Sequence, residues 1–338
     1  MMKVAVFSSR DFDRQYLAKA NAAGVHELAF LESRLSLETV ALADGCAAVC
    51  VFVNDELDEN VLKSLSDEGV KLVALRCAGF NNVDLKASDT FGITVARVPA
   101  YSPHSIAEHT LAMLLTLVRK THRAHDRVRE GNFNIEGLMG VELVGKTAGI
   151  VGTGQIGSIV AGILRCVGCK VIASDPKPSS ECIDAGVQYT SFDDLISQSD
   201  IISLHCPLTP QTHHLIDQGC VSSMRSGAIL INTSRGAVVD TRALINGLKA
   251  GNIGGLCLDV YEEESEIFFE DLSNSTIQDD VFARLLTFPN VLITSHQAFF
   301  TQEALHTIAE TTIGNLTSFE RSGAALHEVD KSSIGNAG

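Results

Sequence analysis

Basic residues are in short supply. Lys and Arg number 26 against 41 Asp and Glu, a formal net charge of −15, and that surplus argues against nucleic acid or an anionic membrane as a principal partner. Long apolar runs are missing as well. The best stretch, Ile106–Val118, is too short to span a bilayer and carries Glu108 and His109. The N-terminal apolar patch, Val4–Phe7, runs into Arg10, Asp11 and Asp13, so it reads as a strand and not as a signal peptide. Nine cysteines, an odd count scattered through apolar segments, suit a reducing cytoplasm better than a disulfide framework. Cys166 and Cys169 have C-x-x-C spacing, but they fall where a helix ends and a strand begins, with no second pair nearby. Packing is their default reading, and no metal site is expected. There are no repeats and no low-complexity linker.

What the chain does contain is Gly149-Ile150-Val151-Gly152-Thr153-Gly154-Gln155-Ile156-Gly157. Thr147–Val151 is short and apolar, as a buried strand should be, and Ile159–Val167 continues at helical spacing. In that setting Gly152, Gly154 and Gly157 form the G-x-G-x-x-G of a dinucleotide site. The first glycine allows a tight turn, the second a close approach of backbone to pyrophosphate, and the third close helix–strand packing. The helix N-terminus adds unpaired N–H groups and a positive dipole end. Asp175 follows the next strand, Lys170–Ser174, where a carboxylate accepts ribose hydroxyls and repels a 2′-phosphate. NAD, rather than NADP, is the expected cofactor.

The first hundred residues alternate predicted strands (Lys3–Ser8, Ala48–Val53, Leu72–Arg76, Ile93–Val95) with helices (Asp11–Ala22, Asp58–Glu68, Val83–Phe91). Pro99-Ala100-Tyr101-Ser102-Pro103 then breaks the pattern; Ser102 can cap, Pro103 suits a first helical position, and one long helix is predicted over Pro103–Glu130. Its basic cluster, Arg119, Lys120, Arg123, Arg127 and Arg129, reads as a solvated face. Further strands are predicted at 147–151, 170–174, 201–204, 228–232, 254–258 and 291–294, and a last helix over Gln302–Arg321 precedes a loose polar tail, Asp330–Gly338. The fold class is α/β. A Rossmann-type doubly wound parallel sheet domain, 102–298 with the linking helix, is inserted into a smaller flavodoxin-like substrate domain made of 1–101 and 299–338. Crossings near Tyr101 and Ala298 are expected to form a hinge over a cleft.

Ligands of doubly wound sheets bind at strand ends. Arg235 directly follows the apolar run 228–231, where a guanidinium can fork onto a carboxylate. An acidic run, Glu262, Glu263 and Glu264, follows strand 254–258, and chemistry alone does not choose among the three. His296 follows strand 291–294. Four other histidines, His104, His109, His122 and His125, fall in the long helix and read as surface or packing residues.

These segments resemble the D-isomer-specific 2-hydroxyacid dehydrogenases, and within them the fermentative D-lactate branch. The likeness covers Leu75–Asp84, Val98–Ser102, Ser203–Thr209 and Asn232–Gly236, and its most branch-specific parts are Phe268–Asp271, Ile277–Phe282 and His296–Phe299. The resemblance implies a cytoplasmic NAD-dependent enzyme that reduces pyruvate to D-lactate reversibly and works as a homodimer or homotetramer. Arg235 is then similar to the family's substrate-carboxylate arginine, His296 to its acid/base, and Glu264 to the histidine's partner. Backbone at Ala78 and Gly79 helps hold the carboxylate, and Tyr101 and Phe299, with Phe52, wall the substrate. Cofactor contacts extend to Gln155, Ile156, Cys206, Pro207, Thr212, Thr233, Ser234 and Asp259. The helix face Ile106, Leu111, Leu114, Leu115 and Val118 is expected to build a two-fold interface. Glyoxylate or hydroxypyruvate reduction, reduction of a bulkier 2-oxo acid, and an NAD-sensing corepressor are the alternatives.

Overall fold

The computed structural model describes residues 1–264 and 267–329, so the tail Asp330–Gly338 lies outside the described residues. The chain divides into two compact units: Met1–Ser102 with the segment from Phe300 onward, and Pro103–Phe299.

The first unit is a five-stranded parallel sheet in the order β2-β1-β3-β4-β5, built from β1 (Lys3–Val6), β2 (Glu27–Phe30), β3 (Ala48–Val51), β4 (Leu72–Leu75) and β5 (Thr94–Ala96). This is the flavodoxin-like order. β3 and β4 are buried at every position, which is why they read as unbroken apolar runs. One face packs Phe7, Val49 and Val73 against Leu62 and Leu65 of α2 (Glu59–Asp67). The other packs Val4, Val6 and Cys50 against Leu17 of α1 (Asp11–Ala20) and Ile313 and Leu316 of α12 (Gln302–Ser322). Asp58 and Asp84 cap α2 and α3 (Leu85–Thr90) through Val61 N at 2.8 Å and Ala87 N at 3.0 Å. β2 was not expected from the sequence. It is an edge strand with no fully buried residue, so burial imposes no apolar run on it.

The second unit is a seven-stranded parallel sheet in the order β12-β11-β10-β9-β6-β7-β8. Its strands are β6 (Thr147–Val151), β7 (Lys170–Ser174), β8 (Gln188–Tyr189), β9 (Ile201–Leu204), β10 (Ala228–Asn232), β11 (Ile253–Leu258) and β12 (Val291–Ile293). β6 pairs with both β7 and β9, so the winding reverses beside it. That is the switch point at which an open α/β sheet binds its ligand. Leu114 and Leu117 of α4 (Pro103–Arg119) and Val160 and Leu164 of α6 (Gln155–Cys166) cover Ile150, Ile231 and Cys257 on one face. Leu244 and Leu248 of α10 (Thr241–Ala250) help cover Leu204, Leu230 and Leu256 on the other. The two-residue edge strand β8 was missed for the same reason as β2.

One expectation about the long helix is corrected. It is not continuous: Lys120 adopts a left-handed conformation (φ 53°) and separates α4 from α5 (Thr121–Arg129). α5 buries no residue, so no apolar stripe holds it in line with α4. Of the α4 apolar face, Leu114 and Val118 are buried in this unit's core. Two members of the partly exposed basic cluster hold the segment that follows: Lys120 Nζ donates to Gly137 O at 2.9 Å, and Arg127 Nη1 to Asn134 O at 3.2 Å and Glu136 O at 2.8 Å. Exposed apolar side chains lie instead on the segment that follows, at Phe133, Ile135, Met139 and Val144.

Candidate active site

The three glycines of the β6–α6 turn meet three different demands. Gly152 has φ 90°, and a Cβ there would sit 2.9 Å from Cys206 N and His205 O. A Cβ on Gly157 would overlap the carbonyl of Gly152. At Gly154, which caps α6, a Cβ would meet no protein atom within 4 Å. Nothing in the protein requires glycine at that position, whereas a pyrophosphate lying on the helix N-terminus does. The turn therefore fits a dinucleotide, with Gln155 and Ile156 opening the helix behind it.

Asp175 lies just past β7. Its Oδ2 accepts from Thr153 N at 2.6 Å and Thr153 Oγ1 at 3.2 Å, and its Oδ1 accepts from Lys177 N at 2.7 Å. Tyr189 of β8 steadies this arrangement by donating to Thr153 Oγ1 at 2.8 Å while accepting from Ser179 N at 2.8 Å. Neither Tyr189 nor Thr153 was singled out from the sequence. Past β9, Thr212 Oγ1 donates to Pro207 O at 2.6 Å and accepts from Thr209 N at 2.8 Å, closing the Cys206–Thr212 loop. Burial pushes the Cys206 thiol up to about 11.

The turn after β10 is closed by Asn232, which is fully buried. Its Oδ1 accepts from Ser234 N and Oγ at 3.0 and 2.8 Å, and its Nδ2 donates to Arg235 O at 2.8 Å. Thr233 Oγ1 pairs with Thr110 Oγ1 at 3.0 Å. Gly236 then runs so close to Tyr261 that a Cβ would overlap the Tyr261 carbonyl. The Arg235 turn and the acidic loop after β11 are thus packed backbone to backbone.

Within that loop the geometry separates the three glutamates. Glu264 Oε1 lies 2.8 Å from His296 Nδ1, and its Oε2 accepts from Tyr261 N at 3.1 Å. Glu262 turns away to His214 Nε2 at 2.6 Å and to the N–H (2.8 Å) and hydroxyl of Thr241. Tyr261 is anchored in turn: its hydroxyl donates to Asp279 Oδ2 at 2.5 Å, and Asp279 caps α11 (Asp280–Leu286) through Val281 N and Phe282 N. The Phe268 and Phe282 rings pack at 5.9 Å, and Tyr261 stands 4.9 Å from Phe282. The segments 268–271 and 277–282 therefore build the back of the Glu264 loop.

Asp259 ties His296 to the sheet. Its carbonyl accepts from His296 N at 2.7 Å, with His296 held at φ 52°. Its carboxylate accepts from Thr294 Oγ1 at 2.6 Å, Gln297 N at 2.9 Å and Ala298 N at 2.9 Å. His109 Nε2 lies 3.4 Å from Asp259 Oδ1 and 3.1 Å from Thr294 Oγ1, so His109 belongs to this network and is not a surface residue. Burial pushes the Asp259 carboxyl up. The donors from His109, Thr294 and Ala298 and the charge of His296 outweigh it and hold the group below its ordinary value. Phe299 is buried at the end of this segment.

In the first unit Phe52 follows β3, Ala78 and Gly79 follow β4, and Tyr101 lies near the end of the unit's N-terminal stretch, all partly exposed. Arg76, fully buried, donates from Nη1 to Phe7 O at 3.1 Å and from Nη2 to Ser8 O at 3.2 Å, pairs with Asp13 at 3.1 Å and lies over the Phe52 ring. Among the described residues no group of His, Cys, Asp and Glu could hold a metal ion. Nor is any helix there long and apolar enough to cross a membrane.

Known proteins bear on this arrangement. Residues 111–298 match the family model of the D-isomer specific 2-hydroxyacid dehydrogenase NAD binding domain. The chain is 48% identical to the D-lactate dehydrogenase of Escherichia coli over 97% of its own length and 100% of that protein. The apo-structure of that enzyme superposes with a TM-score of 0.88 at 46% identity, covering 97% of this chain and 100% of that one. The pyruvate reductase of Chlamydomonas reinhardtii superposes with a TM-score of 0.89 at 43% identity, covering 94% and 96%. The chain therefore belongs to the D-isomer specific 2-hydroxyacid dehydrogenases, NAD-dependent oxidoreductases with a Rossmann domain.

Proposed function

We propose that this enzyme interconverts pyruvate and D-lactate, with His296 as acid/base and NAD as coenzyme. The observation that carries the reading is the 2.8 Å contact between His296 Nδ1 and Glu264 Oε1. It supports a proton on Nδ1 facing the carboxylate, with Nε2 serving the substrate oxygen. The similar proteins, a D-lactate dehydrogenase and a pyruvate reductase, support lactate and pyruvate as the reacting pair.

The turn at Gly152, Gly154 and Gly157 holds the pyrophosphate and Asp175 the adenosine ribose, with Gln155, Ile156, Cys206, Pro207, Thr212, Thr233, Ser234 and Asp259 lining the rest. When bound, the nicotinamide is the two-electron donor or acceptor. Arg235 takes the carboxylate with two parallel hydrogen bonds and so fixes the carbonyl carbon. The amides at Ala78 and Gly79 are further carboxylate donors. Protonated His296 gives its Nε2 proton to the oxygen as negative charge develops there, and Glu264 holds the ring's orientation through Nδ1. Asp259 holds the His296 backbone in its left-handed conformation. Tyr101 and Phe299 wall the small side of the substrate, which favours a methyl group over a branched chain.

The protein acts in the cytoplasm, a compartment that suits an odd count of nine cysteines, and works as a homo-oligomer. Initial rates over a panel of 2-oxo acids with NADH and NADPH, with chiral analysis of the product, test the whole reading. Pyruvate should outperform 2-oxoisocaproate and yield D-lactate; L-lactate as product overturns it.

A further inference from the structure

The geometry points to Arg97 as a positioning residue that aims the Gly79 amide at the substrate carboxylate. This rests on the reading above that backbone at Ala78 and Gly79 binds that carboxylate. Arg97 Nη1 donates to Ala78 O at 2.9 Å, and the guanidinium lies over the Phe80 ring, 5.3 Å from its centroid. Among the described residues there is no cis peptide bond. In a trans peptide the carbonyl of Ala78 and the N–H of Gly79 point to opposite sides, so whatever fixes the one fixes the other.

Among the described residues neither the Ala78 nor the Gly79 amide donates to another protein group, and both residues are partly exposed just past β4. They are spare donors at a strand end. The cation on the Ala78 carbonyl also polarises the peptide and strengthens the Gly79 N–H as a donor. A second pin acts on the far side of the same glycine, where the Cys77 thiol donates to Gly79 O at 3.2 Å.

Arg97 is itself held from the C-terminal part of this unit. Its N–H donates to His327 O at 3.0 Å, and its carbonyl accepts from Asn315 Nδ2 at 3.0 Å. Asn315, fully buried on α12, also accepts from His327 N at 3.0 Å. Among the described residues no carboxylate pairs with Arg97, so its charge acts on the carbonyl and the ring. A residue that only packed the loop would need neither the donor nor the cation.

The test compares wild type with Arg97→Met, Arg97→Gln and Arg97→Lys. Steady-state rates with pyruvate, inhibition by oxamate and NADH binding by fluorescence titration are the readouts. In Arg97→Met the pyruvate KM and the oxamate inhibition constant rise together by about tenfold or more, as loss of a charge-assisted hydrogen bond implies. NADH affinity stays at the wild-type value and kcat changes far less than KM. Arg97→Lys, which keeps a cationic donor, recovers part of the loss. If Arg97→Met does not fold, Arg97→Gln carries the same expectation. A folded Met or Gln variant with wild-type KM and oxamate affinity overturns the proposal alone. So does a variant in which kcat and NADH binding fall as much as KM rises. A wild type that turns over no 2-oxo acid overturns the parent reading, and this one with it.

Discussion

His296 and Glu264 are 32 positions apart, yet Nδ1 and Oε1 meet at 2.8 Å on loops following β12 and β11. The pairing leaves Nε2 as the only ring nitrogen able to carry a proton to a substrate. His296→Ala should lower the pyruvate reduction rate by roughly 10²–10⁴, the range for a general acid, with NADH binding nearly unchanged. Glu264→Gln keeps the size and a hydrogen bond but removes the imidazolium's counter-ion. Its kcat for pyruvate reduction should fall by roughly ten- to a hundredfold, the loss of one charge-assisted hydrogen bond, with NADH binding nearly unchanged. A Glu264→Gln variant with wild-type kcat would show that the carboxylate's charge plays no part.

Coenzyme choice should rest on Asp175. Three donors from Thr153 and Lys177 already hold its carboxylate, so it presents one fixed negative edge to the ribose and repels a 2′-phosphate. Asp175→Ser removes a charged hydrogen-bond acceptor, worth about 1.5–3 kcal/mol. The preference for NADH over NADPH in kcat/KM should therefore narrow by roughly ten- to a hundredfold. Equal efficiency with both coenzymes in the unmodified enzyme would refute the assignment.

What was legible in the sequence was whatever burial or backbone geometry forces on composition. β3, β4, β6, β9 and β10 are covered on both faces, so they had to be apolar runs. Gly152 and Gly157 meet protein backbone and Gly154 does not, and the three together make the pattern specific. β2 and β8 are edge strands with little burial to mark them. The break at Lys120 occurs where apolar periodicity simply ends. His109 was unreadable for a different reason. Its helical spacing matches a packing residue, and only the fold brings it to Thr294 and Asp259. The choice of Glu264 over Glu262 likewise needed the loop's path, since composition treats the two alike.

Assembly should depend on the segment after α5 and not on the α4 face. Phe133, Ile135 and Met139 are 75%, 81% and 87% exposed, an apolar display that a monomer in water rarely keeps. Light scattering should report at least a dimer at micromolar concentration, and Phe133→Ser combined with Ile135→Ser and Met139→Ser should shift it toward monomer. A wild type that is monomeric under those conditions would remove the case for this interface.

Stability should carry a signature of His205, which sits beneath the glycine turn. A Cβ on Gly157 would come within 3.3 Å of its side chain, and its Nε2 lies 2.8 Å from Ser203 Oγ. Burial pushes its imidazole down from 6.5 to about 4. Between those values the unfolded chain binds a proton that the folded chain does not, so stability rises with pH there. The contribution is fully present above about pH 6.5 and is lost as pH falls toward 4. At about 1.36 kcal/mol per pH unit, the step from pH 7 to pH 5 costs about 2 kcal/mol, or roughly 4–8 °C in Tm for a unit of this size. His205→Gln keeps a polar partner for Ser203 but does not titrate. Its Tm should fall less than that of wild type over the same interval in differential scanning calorimetry. Parallel losses in the two proteins would show that His205 takes up its proton as readily folded as unfolded.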